Sequence, residues 1–281
     1  MTASSSSGLD RSLQPFDSRD SRFAPILELW AYRELFLFLA WRDIKVRYKQ
    51  SVLGILWAIL QPFCTMVIFT FVFGQLANIP TDGIPRPVFY FSALLPWTYF
   101  SSTLNSVSMS LVGNANLLTK IYFPRIILPA AACLSGLVDF FIGSVFLTGF
   151  ILYYRMPVGW SLLLWPLLAI PLVLITFAAG SFLAALNVKY RDVKHAIPFA
   201  IQLGLFLTPV IYPTSIFPEA YRGLLALNPL TGVIELFRFS LVSTQEIHWE
   251  TTLVSIAVLL IMLPGGIWYF WRAERSFADI V

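Results

Sequence analysis

Few of the 281 residues have both the type and the spacing that reaction chemistry needs. No Gly-x-x-x-x-Gly-Lys-Ser/Thr loop is present, so the chain does not cradle a nucleotide's phosphates in the usual way. His195 and His248 fall on opposite faces of the topology that the charges dictate, and cannot share a metal. Cys64 and Cys133 lie inside apolar stretches, with neither a metal-ligand spacing nor a disulfide framework. Asp82, Glu219, Glu246 and Glu250 are isolated single carboxylates that read as solvated loop charges. No nucleophile elbow or outward carboxylate pair appears, so catalysis by this chain is not expected and no catalytic, cofactor or metal residue is assigned.

Composition says why chemistry is sparse. The chain is 58% apolar and only 12% charged, with a mean hydropathy of +0.75. Ordinary soluble domains carry about twice that charged fraction. A soluble enzyme or a nucleic-acid-binding domain is excluded, despite a net charge of +4. The pattern is that of a polytopic membrane protein.

Six intervals carry no charge or a single one: residues 50–81, 87–119, 126–154, 156–188, 196–218 and 251–271. Each reaches the ~20 residues a helix needs to cross a ~30 Å hydrocarbon core. None alternates like a barrel strand. The expected fold is all-α, with spans at about 52–76, 88–112, 127–153, 160–186, 196–213 and 251–271 within a transmembrane domain of residues 51–281. Fifteen of the nineteen Lys and Arg fall on one side when the N-terminus is placed inside; only Arg86, Arg155, Arg222 and Arg238 stay outside. Both termini are therefore expected in the cytoplasm.

Residues 1–23 are Ser-rich and read as a disordered cytoplasmic tail without signal peptide or anchor. Residues 24–50 combine Leu27, Trp30, Leu35, Phe38, Trp41 and Ile44 with basic side chains, which predicts an amphipathic helix along the cytoplasmic leaflet. Its basic end, Arg42, Lys45, Arg47 and Lys49, suits anionic headgroups. Between spans five and six, two short amphipathic runs are broken by Asn228 and Pro229. They read as half-helices re-entering the outer leaflet or as helices lying flat upon it.

Four features inside this frame stand out. Asp139 is the one ionisable group within a span, and leaving it uncompensated costs ~3 kcal/mol on insertion scales. It reads either as a polar point facing a path or subunit interface, or as a carboxyl hydrogen-bonded to a serine or threonine of a neighbouring helix. Span two carries Ser92, Ser101, Ser102, Thr103, Asn105, Ser106, Ser108 and Ser110, which suits close helix packing or a hydrated path. Aromatics make up 16% of the chain and suit interfacial belts or stacking faces for sugar rings. The loops GNANLLTKIYFPR (113–125) and NVKYRDVKH (187–195) carry more apolar and basic side chains than a turn requires, which suggests partner docking or headgroup contact.

Five segments carry a family resemblance: RDIKVRYKQSVLGILWAILQP (42–62), NVKYRDV (187–193), TPVIYP (208–213), NPLTGVIELFR (228–238) and ERSFADIV (274–281). In this order and topology the chain resembles the permease subunit of type-2 ATP-binding-cassette exporters. Within them it is most similar to the branch that exports polysaccharides or polyol phosphates. The resemblance implies a homodimer in the cytoplasmic (inner) membrane with two separate ATPase subunits that hold ATP and Mg. It implies ATPase coupling through Asn114, Asn116, Leu117, Leu118, Lys120, Tyr122 and Phe123, with Lys189, Tyr190, Arg191 and Asp192 as a second contact. A polyprenyl-diphosphate-linked glycan would meet Arg42, Lys45, Arg47 and Lys49. It would pass Tyr99, Ser102, Asn105 and Asp139, and leave by an outer gate holding Asn228, Pro229, Glu235 and Arg238. There Glu235 and Arg238, three apart, are placed to pair on one helix face. A drug- or lipid-exporting relative, a secondary transporter and a membrane glycosyltransferase are the competing readings. The first would carry a larger outer domain or a fused ATPase, the second inverted repeats, the third acidic metal ligands or a base at the membrane face.

Overall fold

The computed structural model describes residues 31–49, 53–156, 164–190, 192–241 and 249–274. Among the described residues every regular element is helical. The helices are α1 (Arg33–Lys49), α2 (Leu56–Phe69), α3 (Arg86–Gly113), α4 (Ala115–Leu118), α5 (Ile127–Tyr153), α6 (Trp165–Lys189), α7 (Val193–Leu207), α8 (Glu219–Ala226), α9 (Pro229–Leu241) and α10 (Trp249–Glu274). A π-helical stretch, Thr70–Leu76, prolongs α2. Long apolar runs leave each backbone polar group no partner but its own helix, which is why lipid-soluble segments of this kind coil.

Four helices are both long and apolar enough to cross a membrane: Leu56–Leu76, Ile127–Tyr153, Trp165–Lys189 and Trp249–Glu274. The other two expected spans differ in opposite ways. At 28 residues α3 is about 42 Å long, but its Ser, Thr and Asn side chains take it out of the strongly apolar set. The region expected at 196–213 is helical only from Val193 to Leu207, 15 residues or about 22 Å. It stops there because Pro209 and Pro213 lack the N–H that a further turn requires.

The bundle is organised around α3, whose N-terminal half is buried on every side from Val88 to Leu95. It packs along α5 and α6, and α6 packs along α10. Close approach depends on small residues. At Gly136 of α5 an added Cβ would collide with the Thr103 hydroxyl and stand 3.2 Å from the Tyr99 ring. At Gly266 of α10 it would stand 2.5 Å from the Ala178 carbonyl oxygen of α6. The contacts Gly136–Tyr99 and Gly143–Leu95 also fix the register of α5 against α3. Asp139 thereby lies level with Tyr99, near the midpoint of α3.

The packing divides the expected apolar stripe of α1. Leu39 and Ala40 are the buried positions, joined by Leu35 and Phe36 in a cluster with Leu111, Phe123, Ile127, Ala184 and Phe270. Phe38 and Trp41 point outward, each 64% exposed. Residues 24–30 lie outside the described residues, as do the tail 1–23 and the segment 275–281. Ala40 packs with Ile127 at the start of α5, while Arg47 reaches Asp139 twelve residues further on, about 18 Å along that helix.

Candidate functional site

The sequence-nominated residues gather at three places. The first is at mid-bundle, where α1 ends against α5. Arg47 Nη1 donates to Asp139 Oδ2 and the Tyr48 hydroxyl donates to Oδ1, so both carboxylate oxygens are engaged. The Arg47 and Asp139 side chains remain 30% and 24% exposed. Burial first, and the hydrogen bond to Asp139 second, push the Tyr48 phenol above its ordinary value, so it stays a donor at neutral pH. Asp139 is thus not a lone carboxylate, and the hydroxyl it bonds is the Tyr48 phenol of α1 rather than a serine or threonine of a neighbouring helix. Arg47, expected among headgroups, is its counter-ion.

A cavity of about 240 Å³ opens beside this pair, lined among others by Trp57, Gln61, Thr98, Tyr99, Ser102 and Asp139. Three of the four residues expected on a translocation path, Tyr99, Ser102 and Asp139, therefore share one wall. Tyr99 is 2% exposed, and its hydroxyl donates to the Cys133 carbonyl at 3.1 Å, so it contributes mainly a ring face. Asn105 is exposed one turn beyond Ser102, outside the cavity lining. The polar side chains of α3 divide by face. Ser92, Ser108 and Ser110 are buried and bond back to carbonyls of their own helix, which serves packing. Ser102 and Asn105 stand on the open side. Tyr48, Trp57 and Gln61 were not nominated by the sequence; only proximity to the basic run pointed to them.

The second place is the end of the bundle where α9 holds residues 208–213 and Thr214, which opens a 3-10 turn (Thr214–Ile216). Beyond Leu207 the carbonyls of Val210 and Tyr212 have no helical N–H to accept, since α7 has ended. Arg238, 3% exposed, donates Nη2 to Val210 O at 2.9 Å and Nη1 to Tyr212 O at 3.3 Å. Its guanidinium carbon lies 3.7 Å above the Phe89 ring centroid, a stacked cation–π contact. Glu235 accepts from the Thr214 hydroxyl. Asn228 bonds Thr208 Oγ1 at 2.8 Å, and its Oδ1 accepts from Leu230 N at 3.1 Å, capping α9 just ahead of Pro229. Expected to pair with each other, Glu235 and Arg238 both reach across to this one stretch. The two prolines of TPVIYP were the available signal: they imply orphan carbonyls, and Arg238 supplies the donors.

The third place is the pair of loops at the other end. Asn114 Nδ2 bonds Ser110 O at 2.8 Å, turning the chain into the one-turn α4. Asn116 and Lys120 are exposed there, Leu117 and Leu118 pack partly inward, and Tyr122 is 89% exposed. Phe123 is only 4% exposed and stands behind Tyr122 in the core, not on the surface. Lys189, Tyr190 and Asp192 are exposed, with the Lys189 ammonium 5.2 Å from the Tyr190 ring centroid; Arg191 lies outside the described residues. In the basic end of α1, Arg42 is offset by Asp43 at 2.8 Å and Arg47 by Asp139. Lys45 and Lys49 are the exposed cations there. Among the described residues no three His, Cys, Asp or Glu side chains cluster as a metal would need.

Residues 34–242 match the family model for ABC-2 type transporters. The chain is 32% identical over 255 residues to an O-antigen export system permease protein of Myxococcus xanthus, covering 90% of this chain and 94% of that one. It is 28% identical over 250 residues to an O-antigen export system permease protein of Klebsiella pneumoniae, covering 88% and 95%. A polysialic acid transport protein of Escherichia coli is 26% identical over 215 residues, covering 72% and 78%. The family match takes in the mid-bundle cavity, the loops 113–125 and 187–195 and the α9 clamp together, and on these grounds the chain belongs to the ABC-2 type transporter family.

Proposed function

We propose that this chain is the membrane-spanning permease subunit of an ATP-driven exporter of a lipid-linked, O-antigen-like polysaccharide across the cytoplasmic membrane. The observation that carries the reading is the alignment with O-antigen export permeases along nine-tenths of the chain. A polysialic acid transport protein among the relatives widens the substrate class to extended polysaccharides rather than one sugar.

Six crossings with both termini inside fit the charge asymmetry. In this arrangement α3 crosses with its polar face toward other helices and the cavity, α7 crosses with residues 208–213 completing its length, and α8 and α9 re-enter from the outside. Burial of α9 residues Leu230, Ile234 and Phe237 among α3, α5 and α6 side chains supports re-entry over a flat surface position. The permease works as a homodimer with two ATPase subunits, which hold the ATP and Mg. The outward apolar faces of α2 and its π-helical extension (Trp57, Ile68, Phe71) and of α7 (Phe199, Leu203, Phe206) offer surface for a second copy and for lipid.

ATP-driven closure of the ATPase pair is transmitted through Tyr122 and α4, with Lys189, Tyr190, Arg191 and Asp192 as the second contact. Lys45 and Lys49 meet the lipid diphosphate and headgroups, while Arg42 and Arg47 are already neutralised by Asp43 and Asp139. The glycan then moves along the wall formed by Tyr99, Ser102 and Asp139 toward the outer closure at α9. Ring faces and hydroxyl or carboxylate rims suit sugars, which present apolar C–H faces and hydroxyl edges. Deleting the gene tests the reading. The expected result is loss of one surface polysaccharide with accumulation of its lipid-linked form inside the cell. An unchanged surface polysaccharide profile rejects it.

A further inference from the structure

Three side chains of α9 and its cap converge on one irregular stretch of turns and bends. Asn228 takes the Thr208 hydroxyl, Arg238 takes the Val210 and Tyr212 carbonyls, and Glu235 takes the Thr214 hydroxyl. Val210 and Ile211 are 0% and 4% exposed, so the stretch is enclosed rather than draped over the surface. It continues directly from α7, which otherwise buries little beyond Ile197. Within the single chain α7 packs through Ile197, Ile201 and Leu205, and the guanidinium grips the residues that follow its end.

We propose that Arg238 is a positioning residue that locks residues 208–214 to α9, so that α9 and the outer end of α7 move as one body when the exit opens and closes. The function belongs to the shape of the guanidinium and not to its charge. Two carbonyls 2.9 and 3.3 Å away are met by one planar fork, and its flat face rests on Phe89. Lysine carries the same charge but neither the fork nor the plane. The proposal rests on the outer placement and export role given above.

The test uses the full-length protein in nanodiscs, with Cys64 and Cys133 replaced by Ala and Ile211→Cys as the reporter. Maleimide labelling of this shielded position should be slow in the otherwise native chain and at least tenfold faster with Arg238→Lys, as with Arg238→Ala. Glu219→Gln, which removes an exposed charge on α8 outside the grip, should stay within twofold of native. Phe89→Leu keeps the fork but removes the stacking face, and should give an intermediate rate if either Arg238 variant fails to fold. In cells, Arg238→Lys should cut surface polysaccharide at least tenfold while the protein still accumulates in the membrane. Unchanged labelling in Arg238→Lys overturns the lock, and faster labelling with undiminished export overturns its part in transport. Should deletion of the whole gene leave surface polysaccharide intact, the export reading fails, while the labelling result stands on its own.

Discussion

The sign of the effect at Asp139 separates two pictures of the mid-bundle. Were the carboxylate unpaired among apolar side chains, Asp139→Asn would remove a buried charge and stabilise the protein, relieving part of the ~3 kcal/mol insertion cost. In the structure the same change instead leaves the Arg47 guanidinium without its counter-ion. Breaking a fully buried pair costs about 3–5 kcal/mol. Here the two side chains keep 30% and 24% exposure, so water recovers part of that, and about 2 kcal/mol is expected. At 1.4 kcal/mol per decade this is about a thirtyfold change in the equilibrium between docked and released ends of α1. Amide hydrogen exchange across residues 44–49, measured in nanodiscs, reads that equilibrium directly. Asp139→Asn should speed exchange there about thirtyfold and leave α5 and α6 unchanged. The double variant Arg47→Ala/Asp139→Ala should show a coupling energy of at least ~1 kcal/mol, and the swap Arg47→Asp/Asp139→Arg should recover part of the loss. Exchange that is unchanged within threefold, or slower, would refute the pairing argument.

Other expectations follow from burial and close contact. Gly266→Ala should destabilise by about 1–3 kcal/mol, because the Ala178 carbonyl it meets is backbone and cannot rotate away. Gly265→Ala, with nothing within 4 Å, should leave the melting temperature unchanged or slightly raised. Tyr122→Ala should keep the melting temperature within 2 °C and abolish copurification of the ATPase, because that ring is 89% exposed. Phe123→Ala should cost about 3–5 kcal/mol, seen as a lower melting temperature, because it empties a buried site. Asn228→Asp keeps the acceptor that caps α9 but loses the donor to Thr208. It should melt close to the native chain, whereas Asn228→Ala should cost about 1 kcal/mol.

Much of the architecture is legible in the sequence because its cause is local. Uninterrupted apolar length predicts helices, and all six charge-free intervals contain one. Pro209 and Pro213 announce the break after α7 without reference to any other element. The register of α1 is not local. Leu35, Phe38 and Trp41 make as good a stripe as Leu35, Phe36, Leu39 and Ala40, and only the presence of Leu111, Ile127 and Phe270 decides between them. Arg47 and Asp139 are 92 residues apart. From the sequence alone Arg47 reads among headgroups and Asp139 against a path, a subunit interface or a Ser/Thr hydroxyl, whereas each is the other's partner. Glu235 and Arg238 sit at pairing distance along α9, but the carbonyls exposed by the helix break compete for the guanidinium and hold it. Polar content in α3 signals two things at once, and only its orientation separates the buried Ser92, Ser108 and Ser110 from Ser102 on the cavity wall.

Transport itself gives the most direct test of the export assignment. The chain and its ATPase partner, reconstituted in proteoliposomes with a lipid-linked polysaccharide on the nucleotide side, should move that polymer across the bilayer when ATP and Mg are added. Movement is read as protection of the glycan from a glycosidase supplied outside. The account predicts ATP-dependent protection that fails with a hydrolysis-deficient ATPase. Glycan that stays fully digestible while the reconstituted complex hydrolyses ATP would contradict it.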